Sequence, residues 1–165
     1  DDPAAHTFVF KHQGRNMCDF CHADKAVPQG QFVHKPVADG ECIKCHDPHG
    51  STTRALLMGS SSSALCSTCH QNVASAKHVH QPVAEDCSLC HAAHGSVRPA
   101  LLTKTPPLLC QQCHSSAGHP SVARTSNSLP GGTGGGAVYT IAGSCTNCHS
   151  QVHGSNHPSG AKLMR

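Results

Sequence analysis

The chain has 165 residues, room for one or two ordinary domains, yet it has no Trp, one Tyr (Tyr139) and four Phe, all before residue 33. With 15 Gly and 11 Pro besides, the polypeptide is a poor candidate for building the usual apolar core from its own side chains. The formal charge is a modest +3, and no run is long and apolar enough to cross a membrane or act as a signal h-region.

What the chain has instead is cysteine in a fixed pattern. All twelve cysteines fall into six Cys-x-x-Cys-His pentads. In chain order these are Cys18, Cys21 and His22; Cys42, Cys45 and His46; Cys66, Cys69 and His70; Cys87, Cys90 and His91; Cys110, Cys113 and His114; Cys145, Cys148 and His149. The pentad is the attachment signature of c-type haem. Two thiols three positions apart reach both vinyl groups of one porphyrin, and the adjacent histidine falls beneath the iron as its proximal ligand. Zinc sites pair one Cys-x-x-Cys with a second pair or with spaced histidines. A disulfide scaffold gives no reason for a histidine after every second cysteine. A thioredoxin-like site would use one motif inside a βαβ unit. Six covalent haem c groups are therefore expected, one large flat hydrophobe for every 27 or 28 residues.

The haems are then the core and the peptide their wrapping. The predicted fold is mostly irregular, with short α-helices at the pentads, loops between them and little or no β-sheet. The Leu pairs 56–57, 101–102 and 108–109 read as packing against porphyrin faces. Two propionates on each haem would carry the loaded protein to about −3 oxidised and about −9 reduced, which argues against a nucleic-acid partner. All nine acidic residues lie at or before Asp86, and only Arg98, Lys104, Arg124, Lys162 and Arg165 follow. Those bases read as propionate neutralisers, with a docking face for an acidic partner as the alternative.

From the amino end onward the chain repeats itself. Residues 34–50 read HKPVADGECIKCHDPHG, and residues 80–95 read HQPVAEDCSLCHAAHG. Each opens on His-x-Pro-Val, reaches a pentad and closes on His-Gly three residues past the proximal histidine. Ser51 and Ser96 extend the match, and an Arg-containing stretch, a Leu pair, a turn-rich linker and another pentad follow. A looser third copy has His119-Pro120-Ser121-Val122 and CTNCHSQVHG at 145–154, separated by a Gly-rich insertion. The pentads thus group as 18/42, 66/87 and 110/145, with joints at 59–63 and 130–136. This predicts three dihaem modules, 1–58, 59–104 and 105–165, in one continuous domain.

Ten histidines remain beyond the six proximal ones, against only three methionines. Met17 adjoins a cysteine and Met164 is next to last, so bis-histidine ligation throughout is expected, with potentials towards the lower end. Position in the repeat selects the distal donors. His12, His34, His80 and His119 precede pentads, and the proline after three of them is expected to keep the chain extended there. His49 and His94 lie too close to their own proximal histidines to reach across the same porphyrin, so each is expected to ligate a neighbouring haem. The expected assignment is His12 and His34 to the first module, His49 and His80 to the second, His94 and His119 to the third. His153, in the place of His49 and His94, either ligates the sixth iron in place of His119 or reaches a haem of another subunit. His6, His78 and His157 have no repeated position and read as propionate or surface groups.

The repeated CHxxHGS, the His-x-Pro-Val lead-in and above all the terminal CTNCHSQVHGSNHPSG resemble the periplasmic decahaem cytochromes of outer-membrane electron conduits (MtrA/DmsE-like). The pentahaem donors of nitrite reduction share the doubled pentad. The resemblance runs from Phe10 to Gly160 and implies a wire of closely spaced bis-histidine haems without substrate chemistry. Six pentads instead of ten are the departure from that pattern.

Three functions are thus in view. The first is a hexahaem cytochrome of extracytoplasmic respiratory electron transfer, in the periplasm or at the cell exterior, since haem c attachment requires exported apoprotein with reduced thiols. Its partners would be other redox proteins or an outer-membrane conduit. Asp1-Asp2-Pro3 would be a mature terminus, or else the chain is a piece of a longer one. The second is the same wire as a subunit of an extracellular conductive filament, a homo-polymer joined by haem-to-haem contacts. The third, a multihaem reductase, needs an iron with an open distal face. Ten spare histidines for six irons argue against it, so no enzyme is expected.

Overall fold

The structure is a computed structural model that describes residues 15–26, 32–114, 145–147, 149–158 and 160–163. Secondary structure concentrates at the pentads because the motif closes on itself. In five of them the histidine N–H bonds back to the carbonyl of the first cysteine: His46 to Cys42 (3.1 Å), His70 to Cys66 (2.9 Å), His91 to Cys87 (3.0 Å), His114 to Cys110 (3.0 Å) and His149 to Cys145 (2.9 Å). One such turn puts residues three apart on one face, so both thiols point the same way. The first pentad lies in α1 (Arg15–Ala26), which kinks at His22 (φ −118°, ψ 40°). The third ends α2 (Ser62–Ser67), whose N-cap Ser61 accepts from the Ala64 N–H at 3.1 Å. Single 3₁₀ turns hold Cys42–Lys44, Cys87–Leu89, Cys110–Gln112 and Cys145–Asn147.

Two more short helices follow the lead-in histidines: α3 (Lys35–Ala38) after His34, and α4 (Gln81–Glu85) after His80. Here the expectation from proline needs correcting. His34 (φ −63°, ψ 131°) and His80 (φ −68°, ψ 125°) are extended, but each is the N-cap of a helix with the proline in its first turn. Proline is tolerated there because the first-turn N–H groups have no intrahelical acceptor to lose. It ends the strand rather than prolonging it.

Among the described residues, sheet is confined to two antiparallel ribbons of two residues per strand. β1 (Phe32–Val33) pairs with β3 (Gly95–Ser96) in the register Phe32↔Ser96 and Val33↔Gly95. β2 (His78–Val79) pairs with β4 (Gly154–Ser155) in the register His78↔Ser155 and Val79↔Gly154. In both, the strand just before a lead-in histidine meets the Gly-Ser that closes the next repeat. The repeats therefore interlock: residues 1–58 are bonded to 59–104, and 59–104 to 105–165.

Among the described residues no apolar side chain is buried. Phe20 is 73% exposed, Ile43 64%, and Met58 and Leu108 61% each. The fold is thus mostly irregular, with short helices and minimal sheet, and its described residues build no apolar core of their own.

Candidate functional site

The proximal histidines of the second, fourth and sixth pentads are aimed by one device. His46 Nδ1 donates to the Ala55 carbonyl at 2.7 Å, His91 Nδ1 to the Ala100 carbonyl at 2.7 Å, and His149 Nδ1 to the Lys162 carbonyl at 2.5 Å. The residues around these carbonyls adopt a left-handed conformation: φ is 60° at Ala55, 56° at Leu56, 53° at Ala100, 56° at Leu101 and 51° at Leu163. Such angles cost non-glycine residues about 1–2 kcal/mol each, so the turn persists because neighbouring bonds hold it. Those bonds recur at equivalent places: Asp47 N–H to Leu56 O (2.8 Å), Ala92 to Leu101 (2.7 Å) and Gln151 to Leu163 (3.1 Å). With Nδ1 engaged as a donor, Nε2 keeps its lone pair, the tautomer that a metal-binding imidazole needs. Leu56 and Leu101, each the first of a Leu pair, thus shape the hooks on His46 and His91, and Leu163 shapes the one on His149.

Opposite four proximal rings stands a second imidazole. His34 faces His70 with ring centroids 6.1 Å apart and planes at 26°. His94 faces His46 at 5.9 Å and 59°. His80 faces His114 at 6.0 Å and 23°, and His153 faces His91 at 6.0 Å and 24°. This is too far for ring contact, but it fits one iron between two imidazoles. Two metal–nitrogen bonds of about 2.0 Å plus about 1 Å from each nitrogen to its ring centre span roughly 6 Å. Among the described residues no group of three or more His, Cys, Asp or Glu could hold a metal ion. A pair of imidazoles with two thiols to one side suits a metal whose other four ligands come from a porphyrin, and does not suit tetrahedral zinc. The residues present fit haem c.

Every facing pair crosses a repeat boundary, whereas the sequence-based assignment kept His34 and His80 in their own repeats and sent His94 forward to the third repeat rather than back to the first. His34 lies against the third pentad and His94 against the second; His80 serves the fifth position and His153 the fourth. The reason is the ribbons. The His34 N–H bonds to the His94 carbonyl at 3.1 Å, and the His80 N–H to the His153 carbonyl at 3.2 Å. Each ribbon thus sends one imidazole forward to the next repeat and one back. His153 therefore stands neither at the sixth pentad nor free for another subunit. Desolvation of its ring, then the neighbouring His91 and His80, lower its pKa and favour the neutral form.

Cysteines of consecutive pentads also lie together. Cys18 neighbours Cys42, Cys66 neighbours Cys87 and Cys110 neighbours Cys145, each close enough for a thiol hydrogen bond. Desolvation first, then the partner sulfur, pushes both Cys66 and Cys110 up to about 11. Between these couples, Cys45 is raised by desolvation and then by Cys69, and Cys90 by desolvation and then by Cys113. First cysteines thus meet within a predicted module, and second cysteines lie near enough to influence each other's charge between modules. Asp86 secures the middle couple. It caps the turn of Cys87 by accepting from the Ser88 N–H at 2.8 Å and also takes the Ser62 hydroxyl. Those bonds, Ser62 foremost, hold its carboxyl below the usual range.

His12, His119 and Cys148 lie outside the described residues, as do the Gly-rich insertion and His6. His49 is described and stands apart from its equivalents. Its side chain is 95% exposed, with Nδ1 3.4 Å from Asp47 Oδ1.

The comparisons agree with this chemistry. The doubled CXXCH motif family matches residues 34–75 and 80–119. A multiheme cytochrome MtrA from Shewanella baltica (strain OS185) is 42% identical over 158 residues, which are 94% of this chain and 47% of that protein. The chain thus spans about half the length of the curated relative it matches.

Proposed function

We propose that this chain, a multihaem c-type cytochrome of the doubled-CXXCH kind, carries electrons along a row of six covalently held haems outside the cytoplasm. The single observation that carries the reading is the set of four facing imidazole pairs, His34/His70, His94/His46, His80/His114 and His153/His91. In each, the CXXCH histidine is the proximal ligand and its partner the distal one. With both faces gripped, no position remains for a substrate, so these sites suit electron transfer and not catalysis.

Haem c supplies the reversible one-electron couple. The chain's residues set where that couple sits and how it is tuned. The thiol pairs Cys18/Cys42, Cys66/Cys87 and Cys110/Cys145, with Cys45 near Cys69 and Cys90 near Cys113, follow the pentads in sequence order, which supports a single file. The carbonyl hooks on His46, His91 and His149 make those imidazoles more basic and favour the oxidised iron. The three modules 1–58, 59–104 and 105–165 are in this reading units of sequence joined into one rigid row by their crossed ligands.

The partners are redox proteins at either end of the row, an outer-membrane conduit among them, in the periplasm or at the cell exterior. Among the described residues no helix is long and apolar enough to cross a membrane. Coulometric titration of the haem-loaded protein tests the reading. It should take up six electrons per chain while keeping the absorption of low-spin, six-coordinate haem. Fewer electrons, or a reducible substrate consumed by the protein alone, would overturn it. A second reading, a subunit of a polymer, is favoured by the exposed His49.

A further inference from the structure

His78 is neither a proximal ligand nor one of the imidazoles facing one, yet the structure engages it closely. It opens β2, half-buried, and its ring lies against the terminal 3₁₀ turn Gly160–Lys162. A Cβ on Gly160 would stand 3.5 Å from the ring Cε1 and 3.6 Å from each ring nitrogen, which is ordinary van der Waals contact, so the ring covers that residue. Among the described residues only Gly160 and Ser155 are buried, and Ser155 stands opposite His78 in the ribbon. The tightest packing of the described chain thus gathers at this ring.

The turn it covers is the one that aims the sixth proximal ligand, through the Lys162 carbonyl on His149 Nδ1. A file of bonds ties that turn to β4 and back to the pentad. Ser155 Oγ accepts from the His157 N–H at 3.0 Å and the His157 carbonyl from the Gly160 N–H at 2.9 Å. The Gly160 carbonyl accepts from the Leu163 N–H at 3.1 Å, and the Leu163 carbonyl from the Gln151 N–H at 3.1 Å. Gly160 and Leu163 are both left-handed, with φ of 57° and 51°, a shape that a leucine keeps only with outside support. The first ribbon repeats the arrangement. β1 lies against the turn Pro99–Leu101, whose Ala100 carbonyl holds His91, and Phe32 fills there the register position that His78 fills in β2.

From this we infer that His78 is a positioning residue for the sixth haem: its ring seats the turn that presents the Lys162 carbonyl to His149. The seat works by packing and not by charge, since a phenylalanine stands at the same register position in the first ribbon. Without the ring, Gly160 loses its cover and the carbonyl two residues further on is no longer held at its distance from Nδ1. A weaker bond at Nδ1 makes the imidazole a poorer donor to iron, and the balance of that haem moves towards the reduced state. The inference rests on the haem row proposed above. It gives a histidine that read as a propionate or surface group a part in setting one potential.

Spectroelectrochemical titration of the haem-loaded protein, on wild type, His78→Ala and His78→Phe, tests the inference. His78→Ala should keep its full haem content and take up one of six electrons at a higher potential than wild type, with the other five steps unmoved. His78→Phe should titrate as wild type does. Should His78→Ala not accumulate, His78→Val keeps a strand-forming residue without the ring and carries the same expectation. Six unmoved steps in the ringless variant, a shift spread over all six, or a phenylalanine variant that behaves like the alanine one would overturn the inference and leave the row intact. Fewer than six electrons in wild type refutes the row, and this inference with it.

Discussion

At the scale of single residues, the pentad dictates the thiols and the proximal imidazole, and little else is needed to read them. Three residue roles were not legible. Ala55, Ala100 and Lys162 contribute only a backbone carbonyl, and a carbonyl leaves no side-chain signature. A Leu pair ten residues past both His46 and His91 was the available signal for Ala55 and Ala100, and Leu163-Met164, 14 residues past His149, carried none for Lys162. Asp86 is the residue whose contribution is most easily measured. Its carboxyl is held below the ordinary range by Ser62 and Ser88, so the folded state binds its proton less readily than the unfolded chain. Its stabilisation is therefore full above the ordinary carboxylate pKa and fades as pH falls through the lower folded value. Asp86→Ala should cost about 1 kcal/mol at neutral pH, the size of a lost N-cap, and the difference from wild type should shrink in acid. Denaturant unfolding at neutral and acidic pH checks this. A difference that does not change with pH would contradict it.

At the scale of elements, helical turns at the pentads follow from local chemistry, and sequence reasoning placed them. The ribbons did not follow, because two-residue strands are too short to carry a period-2 pattern. Their partners are also 62 or more residues apart, as Val33↔Gly95 shows. Without the ribbons, the sequence did not show which imidazoles face one another. Inside one repeat His34 looks like the partner of the pentad just after it, and only the β1–β3 pairing turns it towards His70. The ribbons also make Gly154 a position where size matters. A methyl there meets the Ala76 Cβ and the His78 carbonyl, the latter being backbone of the opposing strand and unable to rotate away. Gly154→Ala should destabilise the haem-loaded protein by about 1–3 kcal/mol, as overpacking does. It should also loosen His153 from its place against His91. Thermal unfolding followed by haem absorption reads the first effect, and appearance of a high-spin signal reads the second. An unchanged melting temperature would show that the ribbon is not as tight as drawn.

At the scale of the whole molecule, the described residues build no apolar core. None of their apolar side chains is buried, and several of the larger ones are exposed. What binds one repeat to the next is a ribbon and two crossed imidazoles, one sent forward and one back. In the proposed haem row, stability, spacing and redox tuning come from the same contacts. The repeat made the modules legible, but their interlocking was not, because sequence self-similarity shows what recurs and not what it touches.

The most direct measurement is carbon monoxide binding to the dithionite-reduced, haem-loaded protein, comparing wild type with His94→Ala. His94 belongs to the second repeat and faces the proximal ring of the first, so its loss should uncover one iron without disturbing attachment at any pentad. The account predicts an unchanged haem count and one more carbon monoxide bound per chain in the variant than in wild type. Equal binding by the two proteins would contradict crossed bis-histidine ligation, and with it the row as described.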